Sequence, residues 1–258
     1  MCDDGSTDGS RQKIKEFAEA YPQEFRLFLK EHEGITAIAR NLNELIESAT
    51  GDYIAFLAGD DSYLENRFSD QIDVLEGQQK IVISYALGVN CVGGRLSGLA
   101  MTNPSFCALY SKDPKSLYEH VTTQMPLIFI QGMLADAKFL QSFRPFDDSL
   151  IADDWVFNIR VAEKLIQTGK GFHFSAEPVF VRNIHEANTS RNPAEHLPRI
   201  LEVARKYFTP ENFRKFKYSI LKSGLRSRYR TPLKAFNFLV IYRKAVSSIN
   251  KGSGFEHT

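Results

Sequence analysis

MCDDGSTDGS, residues 1–10, is the stretch on which the reading of the fold turns. Asp3-Asp4-Gly5-Ser6-Thr7-Asp8 has the composition of a strand end passing into a helix, with Asp8 or Ser10 as cap and a helix over 11–21. In open α/β sheets ligands bind outside the carboxyl ends of the strands, so two acids there mark a ligand-facing edge. A strand runs about five residues, and only Met1 and Cys2 precede the turn. The sequence is therefore expected to begin inside a domain.

Outward from this stretch the pattern alternates. Residues 25–29 read as a short strand, and 35–49 as a helix with apolar residues at a 3.6 period. The run YIAFL (53–57) suits a strand buried on both faces and is followed by Ala58-Gly59-Asp60-Asp61. A helix over 67–76 and a strand over 80–85 continue the alternation, which argues for a mainly parallel sheet flanked by helices. Residues 88–125 show no sustained period, and core and a substrate-facing excursion are equally good readings there. Beyond them come an apolar segment at 128–132, helices at 135–142 and 154–168, and closing strands at 171–174 and 179–182.

The 258 residues suffice for one large domain, or one domain with a helical appendage. Three distant cysteines (Cys2, Cys91, Cys107) form neither a disulfide framework nor a metal cluster, and a reducing compartment suits them. Fully apolar stretches reach about seven residues, short of the roughly 18 needed to span a bilayer, and no signal-peptide pattern opens the chain. The overall charge of +1 hides an asymmetry: residues 199–258 hold 14 Lys and Arg against three acids, leaving the rest at −10. A body this acidic repels nucleic acid.

Three acidic pairs stand at comparable places: Asp3-Asp4, Asp60-Asp61 and Asp153-Asp154. Adjacent carboxylates repel unless a cation or a donor neutralises them. Oxygen ligands with room for water and phosphate suit Mg²⁺ or Mn²⁺, which would stabilise a departing diphosphate. Each pair alone is more readily a helix cap. All three in one α/β domain are not so easily explained as caps.

DDGSTDGS (3–10), EGITAIARN (33–41) and GDYIAFLAGDD (51–61) together resemble the family 2 glycosyltransferases of the GT-A fold. FDDSLIADDW (146–155) resembles that family's acceptor-side loop, and RNIHEANTS (182–190) more weakly resembles its closing segment. The resemblance implies an α/β GT-A (Rossmann-like) domain over 1–195 and a basic helical tail over 196–258. It implies transfer of a sugar from a nucleotide-diphosphate donor to a hydroxyl of a glycan or lipid-linked acceptor, metal-dependent (Mn²⁺ or Mg²⁺) and inverting. Asp3 would accept from the base of the donor, Asp4 and Asn41 would stand beside it, and Arg40 would line the pocket. Asp60 would take the metal-binding place with Asp61 beside it, and His185 would reach the metal or the diphosphate. Asp154, next to Asp153, would be the general base toward the acceptor hydroxyl.

Two departures stand out: Ala58 occupies a place where many relatives carry a carboxylate, and the family's opening strand and helix do not precede Met1. They support the rival reading, a truncated and catalytically silent binding domain. Trp155 reads as core before sugar platform, and Arg40 could equally pair with a nearby acid. His32, His120, His173 and His196 read as surface or structural. Lys234, Arg243 and Lys244 flank the apolar run 236–242, which fits an interfacial helix on anionic lipid as well as a helix docked on the acidic body. The expected location is cytoplasmic, peripheral on the inner membrane face.

Overall fold

The structure is a computed structural model and describes residues 1–34, 37–151, 153–185, 193–226 and 231–251. The first acids do end a strand: β1 (Cys2–Asp4) runs parallel to β2 (Phe28–Lys30), with α1 (Ser10–Ala20) between them. These two strands form a sheet of their own. No residue of α1 is buried; its Phe17, the following Tyr21 and Phe25 meet at tilted and edge-on angles in a surface aromatic cluster.

α2 (Ile38–Ser48) leads into the second sheet, of six strands. Its strands are β3 (Tyr53–Ala55), β4 (Ser62–Tyr63), β5 (Ile81–Val92), β6 (Arg95–Leu99), β7 (Met133–Asp136) and β8 (Gly171–Ile184). The order is β3-β7-β5-β8-β4, with β6 hairpinned onto β5. This α/β architecture with flanking helices matches expectation, but the sheet is mixed where a mainly parallel one was expected. β5 and β8 run parallel over their whole length, whereas β7 lies antiparallel between β3 and β5, and β4 and β6 also pair antiparallel. Sequence alternation reveals which elements occur but not that a strand returns against its neighbour.

α3 (Ser69–Gly77) packs on β5 and β7. The region 88–125 is divided between the two readings: it finishes β5 and makes β6, which is exposed throughout, then forms α4 (Asn103–Tyr110) and α5 (Pro114–Val121), whose inner faces join the core. Leu109, Leu117 and Val121 are fully buried there. α6 (Ala137–Gln141) follows β7, and α7 (Asp153–Thr168) lies against α5 and β8.

The tail is α8 (Pro193–Tyr207), α9 (Pro210–Arg226) and α10 (Pro232–Lys251). Its Leu201, Phe208, Phe216, Phe238 and Ile249 belong to the same hydrophobic cluster as Trp155, Phe157 and Leu165 of α7. Trp155 is core, as its sequence context suggests: its ring meets Phe208 and Phe216 at 5.8 and 5.6 Å, and its indole N–H donates to the Val121 carbonyl at 2.7 Å.

Candidate functional site

The predicted residues gather in two places. At the end of β1, Asp3 is 4% exposed and turned into its own loop. Its carboxylate accepts from the backbone amides of Gly5 and Ser6 and from Arg11 Nε at 2.7 Å. These donors, Ser6 first, hold Asp3 below the usual carboxylate range. Arg11 also donates to the Lys30 carbonyl, tying α1 across both strands. Asp4 faces the other way. Its Oδ1 accepts from Asn41 Nδ2 at 3.2 Å, and its Oδ2 stands 3.2 Å from His32 Nδ1. The same imidazole nitrogen lies 2.8 Å from the Asp4 carbonyl. Asn41, buried on α2, also accepts from Lys30 Nζ at 2.8 Å, and Lys30 pairs with Glu44. Arg40 pairs with Glu33 at 2.6 Å on the outside of the same helix.

The second place is built by three segments that are far apart in sequence. Asp60 and Asp61 follow β3, and the end of β8 passes beside them. Asn183 donates its backbone N–H to Asp61 Oδ1 at 2.9 Å and its side-chain amide to the Asp60 carbonyl at 2.6 Å. His185 Nε2 lies 2.9 Å from Asp60 Oδ2. The third segment is a single 3-10 turn, Ile130–Gly132. Gln131 donates to Asp61 Oδ2 at 2.9 Å, while the Ile130 amide donates to Asp154 Oδ1 at 3.3 Å. Consecutive residues of one turn thus touch Asp61 and Asp154, the second residue of α7.

Local chemistry explains why these residues hold their places. Gly132 lets the turn lie on β5: a Cβ there would come within 2.3 Å of the Ala86 carbonyl oxygen. Asn158, fully buried on α7, donates to the carbonyls of Ile128 and Asp154, fixing the helix start to the residues before the turn. Arg182 lays its guanidinium 4.7 Å over the Phe129 ring. Burial raises the Asp61 pKa and Asp60 beside it adds to the rise, against hydrogen bonds from Asn183 and Gln131.

Behind the site, Asn43 of α2 is buried and fully bonded. It donates to the Phe146 carbonyl and to Asp148, and accepts from the Phe146 amide. Asp147 accepts from Tyr207 Oη at 2.8 Å and from Lys206 Nζ at 2.5 Å, so α8 clamps the loop that leads to Asp154. Burial opposes ionisation of Asp147, but the bonds from Lys206, Ser149 and Tyr207 prevail and hold its carboxyl well below the usual range.

Gln131, Asn183 and His32 were not foreseen. Gln131 had a signal, a lone polar residue in the apolar run LIFIQGML (127–134); Asn183 had only its nearness to His185. Among the described interactions, none joins the Asp4 cluster directly to the Asp60 cluster. Residues 186–190 of the resembling closing segment lie outside the described residues. Among the described residues no group of three or more His, Cys, Asp or Glu side chains converges as a metal cluster.

Comparison with known proteins places this arrangement. The profile of glycosyl transferase family 2 matches residues 1–133, and the chain belongs to that family. An uncharacterized glycosyltransferase of Rickettsia typhi, RT0329, is 26% identical over 199 residues, covering 74% of this chain and 57% of that protein. The UDP-Glc:alpha-D-GlcNAc-diphosphoundecaprenol beta-1,3-glucosyltransferase WfgD of Escherichia coli is 35% identical over 75 residues, 29% of this chain and 28% of that one. The chain spans between 24% and 57% of the length of the curated relatives it matches. Among solved structures, the mannosyltransferase PcManGT from Pyrobaculum calidifontis, in complex with GDP-Man and Mn²⁺, superposes with a TM-score of 0.51 at 16% identity. That match covers 98% of this chain and 69% of that one, and the shared fold is GT-A.

Proposed function

We propose that this chain transfers a sugar from a nucleoside-diphosphate sugar to a hydroxyl of a glycan or lipid-linked acceptor, with inversion. The observation that carries the reading is the turn Ile130–Gly132, whose Gln131 holds Asp61 and whose Ile130 amide holds Asp154. It sets a base candidate and a diphosphate-side cluster on two sides of one small region. In this account Asp154 accepts the proton of the acceptor hydroxyl as its oxygen attacks the anomeric carbon. The bond from that carbon to the diphosphate oxygen breaks, and its electron pair leaves with the diphosphate. Single displacement from the opposite face inverts the anomeric centre.

A divalent cation would neutralise the leaving diphosphate. Asp60 Oδ2 and His185 Nε2, 2.9 Å apart, fit as its protein ligands. One carboxylate oxygen and one imidazole nitrogen suit Mn²⁺ better than Mg²⁺, which takes oxygen almost exclusively. With Ala58 offering no carboxylate, the remaining ligands would be diphosphate oxygens and water. Asn183 and Gln131 fix Asp61, which acts by positioning its neighbour. Because Asp3 is committed to its own turn and to Arg11, the contact to the nucleoside falls to Asp4, with Asn41 and His32 setting its orientation. The relative whose name specifies a diphosphoundecaprenol-linked acceptor supports a lipid-linked one here, in cell-envelope polysaccharide assembly.

The test is release of nucleoside diphosphate from UDP- and GDP-sugars with Mn²⁺, with and without a polyprenyl-diphosphate-linked sugar. Acceptor-dependent release supports transfer. Tight donor binding with no release under any pairing would favour the silent binding domain, the reading that Ala58 supports.

A further inference from the structure

Sequence alone offers the basic tail two surfaces, anionic lipid or the acidic body of the chain. In the structure the two faces of α9 and α10 are free to meet different ones. The inner faces are docked: Phe216 and Gly224 of α9 are buried, as are Phe238, Ala245 and Ile249 of α10. The helices lie side by side, with Gly224 against the Phe238 ring and Tyr242 Oη donating to the Lys217 carbonyl at 2.9 Å.

Opposite that buried side, helical spacing of three and four residues brings Tyr218 and Lys222 of α9 to the outside, and Phe236, Val240, Arg243 and Lys244 of α10. Both inner faces enter the same hydrophobic cluster, and the outer faces are left uncovered by the described residues. Tyr218 and Phe236 are 65% and 63% exposed and stand beside Lys222 and Val240 on those outer faces. The two helices carry nine Lys and Arg and a single acid, Glu211, which is itself paired with Lys215.

We infer that the outer face of α9 and α10 docks on an anionic lipid bilayer. Three observations select that occupant. Exposed rings stand among cations, the pattern of a helix lying in a headgroup layer with its rings at the acyl boundary. No helix of the described residues is long and apolar enough to cross a membrane, so the contact is one of lying on it. The −10 charge of residues 1–198 disfavours nucleic acid, which offers the same negative charge without an apolar layer for Phe236. The face is also well placed for a lipid-linked substrate. Phe216, on the inner side of α9, touches Trp155, the residue after Asp154, so α9 packs directly against the start of the helix that carries the acid. The docking itself does not depend on the transfer reading, because vesicle binding reads the surface alone.

The experiment is co-sedimentation of the chain with vesicles of phosphatidylcholine alone and of phosphatidylcholine with 30% phosphatidylglycerol, at two salt concentrations. The expected result is binding to the anionic vesicles only, weakened by salt. Reversing Arg243 and Lys244 to Glu should weaken it on the order of 100-fold or more, since each basic residue near such a surface is worth about fivefold. Phe236→Ser should weaken it about tenfold while leaving Tm unchanged, because the ring is outside the core. Equal sedimentation with neutral and anionic vesicles, or undiminished binding by both variants, overturns the proposal. So does a self-association, seen by analytical ultracentrifugation, that Phe236→Ser abolishes while wild type ignores vesicles, which would make the face an interface between copies.

Discussion

β1 ends in one pair of aspartates and the loop after β3 carries another, and the structure uses the two pairs differently. After β3 the pair sits against segments from elsewhere in the chain: Asn183 from β8, Gln131 from the 3-10 turn, and His185. At β1 one aspartate is spent on the local turn and Arg11, and only Asp4 is presented outward, steadied by Asn41 and His32. Their surroundings differ in the same sense. The β3 pair rests on a six-stranded sheet with a continuous core, whereas the β1 pair belongs to a two-stranded sheet whose helix α1 buries nothing. Two-stranded units are marginal by themselves. The front half of the site is thus held chiefly by polar links, and the rear half by packing. A motif read from sequence locates the carboxylates, but tertiary partners decide how each one is engaged.

The sharpest way to break this division is at Asp154. Asp154→Asn keeps the acceptor for the Ile130 amide, so the fold and the turn should persist, while turnover should fall about 10²–10⁴-fold, the range for loss of a general base. Donor affinity measured by calorimetry should barely move. A parallel collapse of donor affinity would instead assign Asp154 to the nucleotide half.

Next in size is the clamp behind the rear half. Asp147→Asn loses the charge that binds Lys206 and Tyr207, and should cost about 1–3 kcal/mol at pH 7 by chemical denaturation. The folded pKa of Asp147 lies below its unfolded value. Its stabilisation is therefore present above the ordinary carboxylate range near 4 and lost as pH falls through the lower folded value. The difference between variant and wild type should shrink below about pH 4; a difference constant down to pH 2 would contradict the clamp.

The smallest effect belongs to the front half. The Arg40–Glu33 pair is surface-exposed, and such pairs contribute little after screening. Arg40→Ala should leave the melting temperature unchanged at physiological salt. A loss of donor affinity in that variant, with the fold intact, would return Arg40 to the donor pocket.

The α2 helix and the β3 strand were legible because their signals are local: a 3.6 period, and an apolar run stopped by Gly51-Asp52 and Gly59-Asp60. The β8 strand was legible only in halves, since Ser175-Ala176-Glu177-Pro178 interrupts its apolar pattern. The ladder to β5 absorbs the break as register shifts around Leu87 and continues. α4 and α5 escaped because each is eight residues, barely two turns, too short for a periodic signal. Their real markers were Pro104 and Pro114 near the helix starts and the Asp113 cap. The carboxylates of the site were legible as residue types at strand ends. Their supports were not: Gln131 reaches Asp61 across 70 positions and Asn183 across 122, and no local pattern reports a contact of that span.

The central claim, that the Asp60 side holds the cation and diphosphate while Asp4 meets the nucleoside, is tested most directly by one titration. UDP binding is measured by calorimetry with and without Mn²⁺ in wild type, Asp60→Asn and Asp4→Asn. The account predicts that Asp60→Asn removes only the increment due to Mn²⁺, and that Asp4→Asn lowers affinity by the same factor whether the metal is present or not. An Asp60→Asn protein that keeps its full Mn²⁺ increment, or an Asp4→Asn protein that loses it, would contradict the division.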